Sequence, residues 1–324
     1  MTILDIKDRK ILYELDLNAR QSLTQIGKKV GLKKDVVSYR INKLQEEGII
    51  KNFWTAINTF KLGYLVFRIY ITFQYVNQNV KNEIITQFVD YKNTWTVKSH
   101  QGQIDLASVI WVRNIFEFYQ FWEKLLDDYE DYFQKSTVSI YSQAICYKKS
   151  YLIPNYNDNS GRKMYSATSG ESIIKIDKID YYILNQIAIN ARMPIVDLAN
   201  KLDCSSSTIQ YRIKNLIKRG IINAFRVNIN LSKLHLQHYK VDIYLRQHKQ
   251  KKDIIRFLEK KPYLEGLNLA IGWADIEPEF IVKNVDELTK ILSEINSKFP
   301  DTIKKQSFWI TEHNYKERWL PELI

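Results

Sequence analysis

Cysteine is nearly absent from this sequence. Only Cys146 and Cys204 occur among 324 residues, far apart and without CxxC companions. Such spacing leaves no basis for a disulfide framework or a cysteine-based zinc site. No run of about 18 apolar residues is present, so no membrane span is expected. The opening residues Met1-Thr2-Ile3-Leu4-Asp5 lack the basic stretch followed by an apolar one that marks a signal peptide, and a cytoplasmic protein is the expectation. The histidines do not fall into a metal-ligand pattern. His235, His238 and His248 lie on or beside one expected strand and His100 stands alone, so no metal and no cofactor are expected.

Positive charge is plentiful, and its distribution matters more than its total of +12. Residues 1–60 carry a net +4 and residues 173–232 a net +5, while 61–150 and 233–324 carry only +1 and +2. Two separated basic blocks on nearly neutral scaffolds suggest two polyanion-binding modules. The aromatic stock of 21 Tyr, 14 Phe and 7 Trp would suit stacking on single strands. Its members, such as Phe116, Phe118, Tyr119 and Trp122, fall instead in the neutral segments at helix or strand periodicity, which favours packing.

An internal repeat accounts for this distribution. At an offset of 172, residues 5–53 match 177–225 with 16 identities in 49 positions and no gap. Asn18-Ala19-Arg20 falls on Asn190-Ala191-Arg192, and Tyr39-Arg40-Ile41 on Tyr211-Arg212-Ile213. Further on, Gly102-x-x-Asp105 corresponds to Gly272-x-x-Asp275 at offset 170. The expected organisation is a basic module (1–60), a neutral module (61–153), a polar linker (154–172), a second basic module (173–232) and a second neutral module (233–324).

Each basic module reads as three helices and a strand. Asp5 and Asp177 are natural N-caps, Ser22 and Pro194 open short second helices, and Gly48 and Gly220 stop the third. In the third helix Val37, Ile41 and Leu44, or Ile209, Ile213 and Leu216, share one face and must point inward. Lys33, Lys34, Ser38, Tyr39, Arg40 and Lys43 are left for solvent in one copy, and Ser205, Ser206, Ser207, Gln210, Tyr211, Arg212 and Lys214 in the other. These side chains suit phosphates and base edges in a major groove, so double-stranded DNA is the expected partner. Arg40 and Arg212, placed alike, lead the candidates. Each neutral module reads as β-α-β-β-α-β, the ferredoxin-like order, with final strands expected at Thr137–Tyr147 and Ile303–Glu312. Helices cover one sheet face, and the other needs a partner sheet. The fold class is therefore α+β: two winged helix-turn-helix and two ferredoxin-like domains in tandem.

These motifs resemble the Lrp/AsnC (feast/famine) transcriptional regulators, whose first helix typically reads Leu-Asp-x-x-Asp-x-x-Ile-Leu. Here it reads Leu4-Asp5-Ile6-Lys7-Asp8-Arg9-Lys10-Ile11-Leu12, echoed by Ile176-Asp177-Lys178-Ile179-Asp180-Tyr181-Tyr182-Ile183-Leu184. The resemblance implies a βαββαβ, RAM-type second domain that senses ligands and pairs subunits, so one chain carrying two copies would act as a pseudo-dimer and could pair again through its sheets. It also implies an amino-acid effector at the hairpins, through Gly102, Asp105, Gly272 and Asp275, although Ile104 and Ala274 stand where the family has an aromatic residue. The implied function is a sequence-specific transcriptional regulator and not an enzyme.

Two alternatives remain open. Phosphate contacts alone would make an architectural, weakly specific DNA binder. Siroheme decarboxylases resemble the same two-module plan and imply a His-Asn-Tyr-x-Arg type stretch in the sensing module. The corresponding stretches, Val97-Lys98-Ser99-His100-Gln101-Gly102 and Asn268-Leu269-Ala270-Ile271-Gly272, do not carry it.

Overall fold

The computed structural model describes residues 4–154 and 161–322. Residues 1–3 of the opening segment and 155–160 of the expected linker lie outside the described residues. Asp5 and Asp177 start helices α1 (Ile6–Leu17) and α6 (Lys178–Ile189) by accepting the amides of Asp8 and Asp180. Helices α2 (Leu23–Val30) and α3 (Lys34–Glu46) complete the first trihelical unit, with α7 (Ile195–Leu202) and α8 (Ser206–Lys218) as counterparts. Val37, Ile41, Leu44 and their equivalents Ile209, Ile213 and Leu216 are buried, as the periodicity predicts.

The strand after each unit does not fold back on its own module. β1 (Ile50–Ile57) pairs antiparallel with β7 (Ile222–Ile229), so the two units share one two-stranded ribbon and one hydrophobic core. Helix α1 packs on β7 and α6 on β1. The repeated Asn-Ala-Arg motif locks this exchange. The Ala19 amide donates to the Phe225 carbonyl (2.8 Å) and the Ala191 amide to Phe53 (2.9 Å). Arg20 Nη1 donates to the Ala191 carbonyl (2.7 Å) and Arg192 Nη1 to Ala19 (2.8 Å). Each guanidinium also lies over an aromatic ring of the other unit, Arg20 over Phe225 and Arg192 over Phe53.

The ferredoxin-like halves follow the expected order. The first comprises β2 (Leu65–Phe73), α4 (Gln78–Asp90), β3 (Thr94–Gln101), β4 (Leu106–Val112), α5 (Ile115–Tyr129) and β5 (Phe133–Tyr147). Strand β6 (Lys163–Thr168) then pairs with β5 inside the segment expected to be a linker. The second half comprises β8 (Gln237–Leu245), α9 (Lys251–Glu259), β9 (Leu264–Ile271), β10 (Glu277–Val282), α10 (Val285–Lys298) and β11 (Ile303–Glu317). Strands β5 and β11 each run 15 residues, longer than the sequence suggests. The extra length crosses to the other half: β5 pairs first with β2 and then with β9, and β11 first with β8 and then with β3. Eight strands thereby close into a barrel with the helices outside.

Closure corrects one expectation. The open sheet faces meet each other inside one chain, so they are not available to pair with a second copy. Along β2, Phe67, Ile69 and Ile71 face the helices while Arg68 and Tyr70 face the barrel interior. Arg68 bonds both carboxylate oxygens of Glu277 and also Ser139 Oγ, and Lys240 Nζ lies 2.7 Å from Glu277 and 3.0 Å from Tyr70 Oη. Burial alone would raise the Glu277 carboxyl, but Lys240 and Arg68 hold it below its ordinary value. Asp242 accepts from Trp309 Nε1 (2.9 Å) and Gln103 Nε2 (2.8 Å), and its burial raises it. The aromatic expectation holds for Phe118, which is buried, whereas Phe116 and Tyr119 are exposed on α5.

His100 sits in this interior, edge-on to Trp309, and neither ring nitrogen has a hydrogen-bond partner. Burial, with Lys98 and Lys240 nearby, pushes its pKa down to about 3. The unfolded chain, titrating near 6.5, therefore takes up a proton that the folded chain refuses. Stability should be full above about pH 6.5 and fall as the pH drops toward 3, by up to about 1.4 kcal/mol per pH unit from this group. Denaturant unfolding of His100→Gln across that range should show a shallower slope than the parent.

Candidate nucleic-acid interface

In each trihelical unit a left-handed residue, Gly31 or Asp203, closes the second helix and turns the chain into the third. The two third helices begin differently. Ser205 caps α8, its Oγ accepting the Thr208 amide (3.1 Å), while Lys33 at the start of α3 provides no side-chain cap. The Ser205 hydroxyl also lies 2.8 Å from both Ser207 Oγ and Thr208 Oγ1, a small hydroxyl cluster at the helix N-terminus.

Lys33, Lys34, Tyr39 and Lys43 are exposed on α3, with Tyr39 at 65% and Ser38 half-buried. Ser205, Ser206, Ser207, Gln210, Tyr211 and Lys214 are exposed on α8, with Tyr211 at 70%. Asn42 and Thr208 are exposed on the same faces, and sequence reasoning misses both. The repeat offset contains the signal, since Asn42 aligns with Lys214 and Thr208 with Val36, itself 40% exposed.

Arg40 and Arg212 are placed otherwise than expected. Arg40 Nη1 bonds Asp5 (2.8 Å) and Asp8 (2.7 Å), and Arg212 Nη1 bonds Asp177 (2.7 Å) and Asp180 (2.8 Å). Both arginines pin the third helix to the acidic N-terminus of the first, and two carboxylates neutralise each charge locally. Asp5 and Asp177 do double duty, each capping a first helix and holding an arginine. Arg40 and Arg212, expected to lead the DNA contacts, are thus engaged within the unit, and the lysines, the serines of α8, Gln210 and the two tyrosines face solvent.

The hairpin residues are also committed elsewhere. Asp105 Oδ2 accepts the Phe73 amide (2.8 Å) and Asp275 Oδ2 the Leu245 amide (2.7 Å), closing the ends of β2 and β8. Gly102 and Gly272 adopt positive φ, and a Cβ there would press on Trp309 and the Phe308 carbonyl, or on the Val138 carbonyl at 2.8 Å. Each hairpin therefore seats against the long strand of the other half. Gly102, Asp105, Gly272 and Asp275, expected at an effector site, thus also serve barrel closure.

The heads are anchored to the barrel unequally. On one side Arg226 bonds the fully buried Asp16, which also accepts the Lys149 amide, and reaches the Tyr147 carbonyl and Cys146 Sγ. On the other side the equivalent of Arg226 is Trp54, stacked on Trp319 with centroids 3.7 Å apart. Among the described residues, no group of three or more His, Cys, Asp or Glu is placed to hold a metal. No helix among them is long and apolar enough to cross a membrane.

Two helix-turn-helix units, each presenting an exposed third helix and fused through a common ribbon, define a tandem helix-turn-helix protein. The winged helix-turn-helix DNA-binding family matches at residues 4–51 and again at 176–223. An uncharacterised HTH-type transcriptional regulator of Pyrococcus abyssi is 33% identical over 124 residues, covering 36% of this chain and 80% of that protein. The HTH-type transcriptional regulator LrpA of Pyrococcus horikoshii is 30% identical over 114 residues, covering 35% and 78%. The chain belongs to the Lrp/AsnC family of helix-turn-helix transcriptional regulators, in tandem-duplicated form. Across its whole length the fold resembles the crystal structure of the siroheme decarboxylase NirDL, with a TM-score of 0.64 at 12% identity over 96% of this chain and 92% of that one. A His-Asn-Tyr run does occur, at His313-Asn314-Tyr315, but it lies on the exposed distal part of β11 and not on β3 or β9.

The arginine geometry has a measurable consequence. Arg40→Ala and Arg212→Ala should each lower stability by about 0.2–1 kcal/mol at neutral pH, the range for solvent-accessible pairs. The amides of Asp8 and Asp180, aided by Arg40 and Arg212, hold the Asp5 and Asp177 carboxyls below their ordinary values. This contribution is present above the normal carboxylate range and is lost as the pH falls through the lowered values. Thermal unfolding should therefore separate parent and variants at pH 7 and bring them together in strong acid.

Proposed function

We propose that this chain is a sequence-specific double-stranded DNA-binding transcriptional regulator in which one polypeptide does the work of a dimer. The observation that carries this reading is the shared β1–β7 ribbon. It holds two recognition helices in one rigid body, so both engage the duplex together, about one helical turn (roughly 34 Å) or a multiple apart. Lys33 and Lys34 supply phosphate contacts beside Tyr39 and Lys43 in one half-site. Ser205, Ser206, Ser207, Gln210, Tyr211 and Lys214 offer a more neutral, hydroxyl- and amide-rich face in the other. Because the faces differ while the scaffolds match, the two half-sites differ in sequence.

Selection of bound duplexes from random DNA tests specificity directly. The expected product is a bipartite site whose halves are not inverted copies, and equal recovery of all sequences would leave only an architectural binder. A salt series adds an independent measure. Lys33→Ala with Lys34→Ala should weaken binding to all sequences and reduce the salt slope by about 1.8, or about 0.9 for each phosphate no longer neutralised.

A further inference from the structure

The second ferredoxin-like half carries its charge unevenly. Residues 246–261 hold seven Lys and Arg against two acids, a net +5, although the whole half 233–324 is only +2. That density exceeds either basic head. On α9, Lys252, Arg256 and Lys260 recur at helical spacing and are exposed, opposite the buried Ile254 and Leu258. Lys249, also exposed, stands just before the helix. Arg256 lies 3.3 Å from the exposed Asp253, while Lys249, Lys252 and Lys260 form no ion pair among the described residues. On α10, the exposed Lys290 and Lys298 line an open groove of about 750 Å³ against Phe257 of α9. Glu294, in the same groove, is engaged by Lys261.

The first half is an internal control. An offset of 170 places the buried Ile84 and Phe88 of α4 on Ile254 and Leu258, and it puts Asn79, Asn82, Thr86 and Asp90 where the second half has Lys249, Lys252, Arg256 and Lys260. On α5, Gln120 and Asp128 stand for Lys290 and Lys298. All six are exposed, and not one is a cation. The same scaffold folds with either set, so folding does not call for the charges. From Lys252 to Lys260 the stripe runs about 12 Å, the axial length of roughly three or four phosphates on one strand of a duplex. A row of cations grips phosphates and carries no sequence information. We propose that the outer face of α9, with the flank of α10, is a second, sequence-indifferent surface for the backbone of double-stranded DNA. One chain then holds two duplex segments, one read by its heads and one gripped by its barrel. The sister flank, acidic at Asp90, Asp127 and Asp128, repels DNA, so the extra segment lies on one side only. The inference rests on the chain being a DNA-binding protein, but not on any sequence preference of its heads.

The full chain would be titrated at low salt with fluorescent random-sequence duplexes of about 20 base pairs, roughly two helical turns. Sedimentation gives the stoichiometry and anisotropy the salt dependence. Two duplexes per chain are expected. Lys252→Glu/Arg256→Glu/Lys260→Glu should bind only one and lower the summed salt slope by about 2.7, or about 0.9 for each phosphate released. Lys92→Glu/Lys124→Glu/Lys135→Glu, at exposed positions of the first half, changes the net charge equally and should keep two. Lys33→Ala/Lys34→Ala should weaken one duplex and leave the other in place. All these side chains are exposed, so melting temperatures within a few degrees of the parent report intact folds. With a duplex several times longer, one per chain shows both surfaces on one molecule, and two show bridging. One short duplex per chain in the parent, two in the α9 variant, or equal loss in the first-half variant overturns the proposal. So does self-association without DNA that depends on the α9 cations and excludes the second duplex. Binding of no duplex at all would overturn the DNA-binding reading too, whereas one per chain overturns the second surface alone.

Discussion

Everything above the level of a single module depends on two strands being long enough to leave home. β5 and β11 each begin in their own ferredoxin-like sheet and finish in the other. An isolated ferredoxin-like sheet has one face without helices, and its edges offer unpaired amides and carbonyls. Crossing satisfies both needs at once, since the open faces become the barrel interior and the sheet closes through the β2–β5 pairing. The hairpins at Gly102 and Gly272 fit only because glycine lets the backbone approach the crossing strands so closely.

What fills the barrel explains why the two copies diverged there. The interior pairs unlike residues across the seam: Arg68 from one repeat and Lys240 from the other share Glu277, a carboxylate of the second half only. Removing one member of such a buried set leaves an uncompensated charge, at a cost of about 3–5 kcal/mol. Two identical halves would place like charges against each other at the pseudo-twofold. A fused chain escapes that restriction because its copies mutate separately, so each half now complements the other and not itself.

The same freedom shows in the heads. Their frame is symmetric: the Asn-Ala-Arg motif makes reciprocal bonds on both sides of the ribbon, and both third helices are pinned by an arginine between two acids. Their attachments and faces are not. On one side the buried Asp16–Arg226 pair, one residue from each head, bonds the chain at Tyr147 and Lys149, and on the other Trp54 stacks on Trp319. One presents lysines at its helix start and the other a cluster of serines. Symmetry is kept where it fixes geometry and lost where it would fix chemistry.

Local information is enough for much of this. The 172-residue repeat, the helical spacing of Val37, Ile41 and Leu44, the capping acids and the βαββαβ order are all short-range patterns, and the elements form where those patterns lie. The family resemblance rests on the same stretches. The partners are not local. Arg40 looks like a free cation in the sequence because its acids lie 32 and 35 residues away, and Asp105 looks like a ligand group because nothing near it in sequence reveals the Phe73 amide. Asn-Ala-Arg is visible twice, yet the reach of its arginines across 171 and 173 residues is not. The added pairing in β5 and β11 arises only when the two halves meet, and strand β6 only when the later segment finds the edge of β5. A sequence states what each segment prefers on its own; which polar groups remain free is decided by the contacts made after folding.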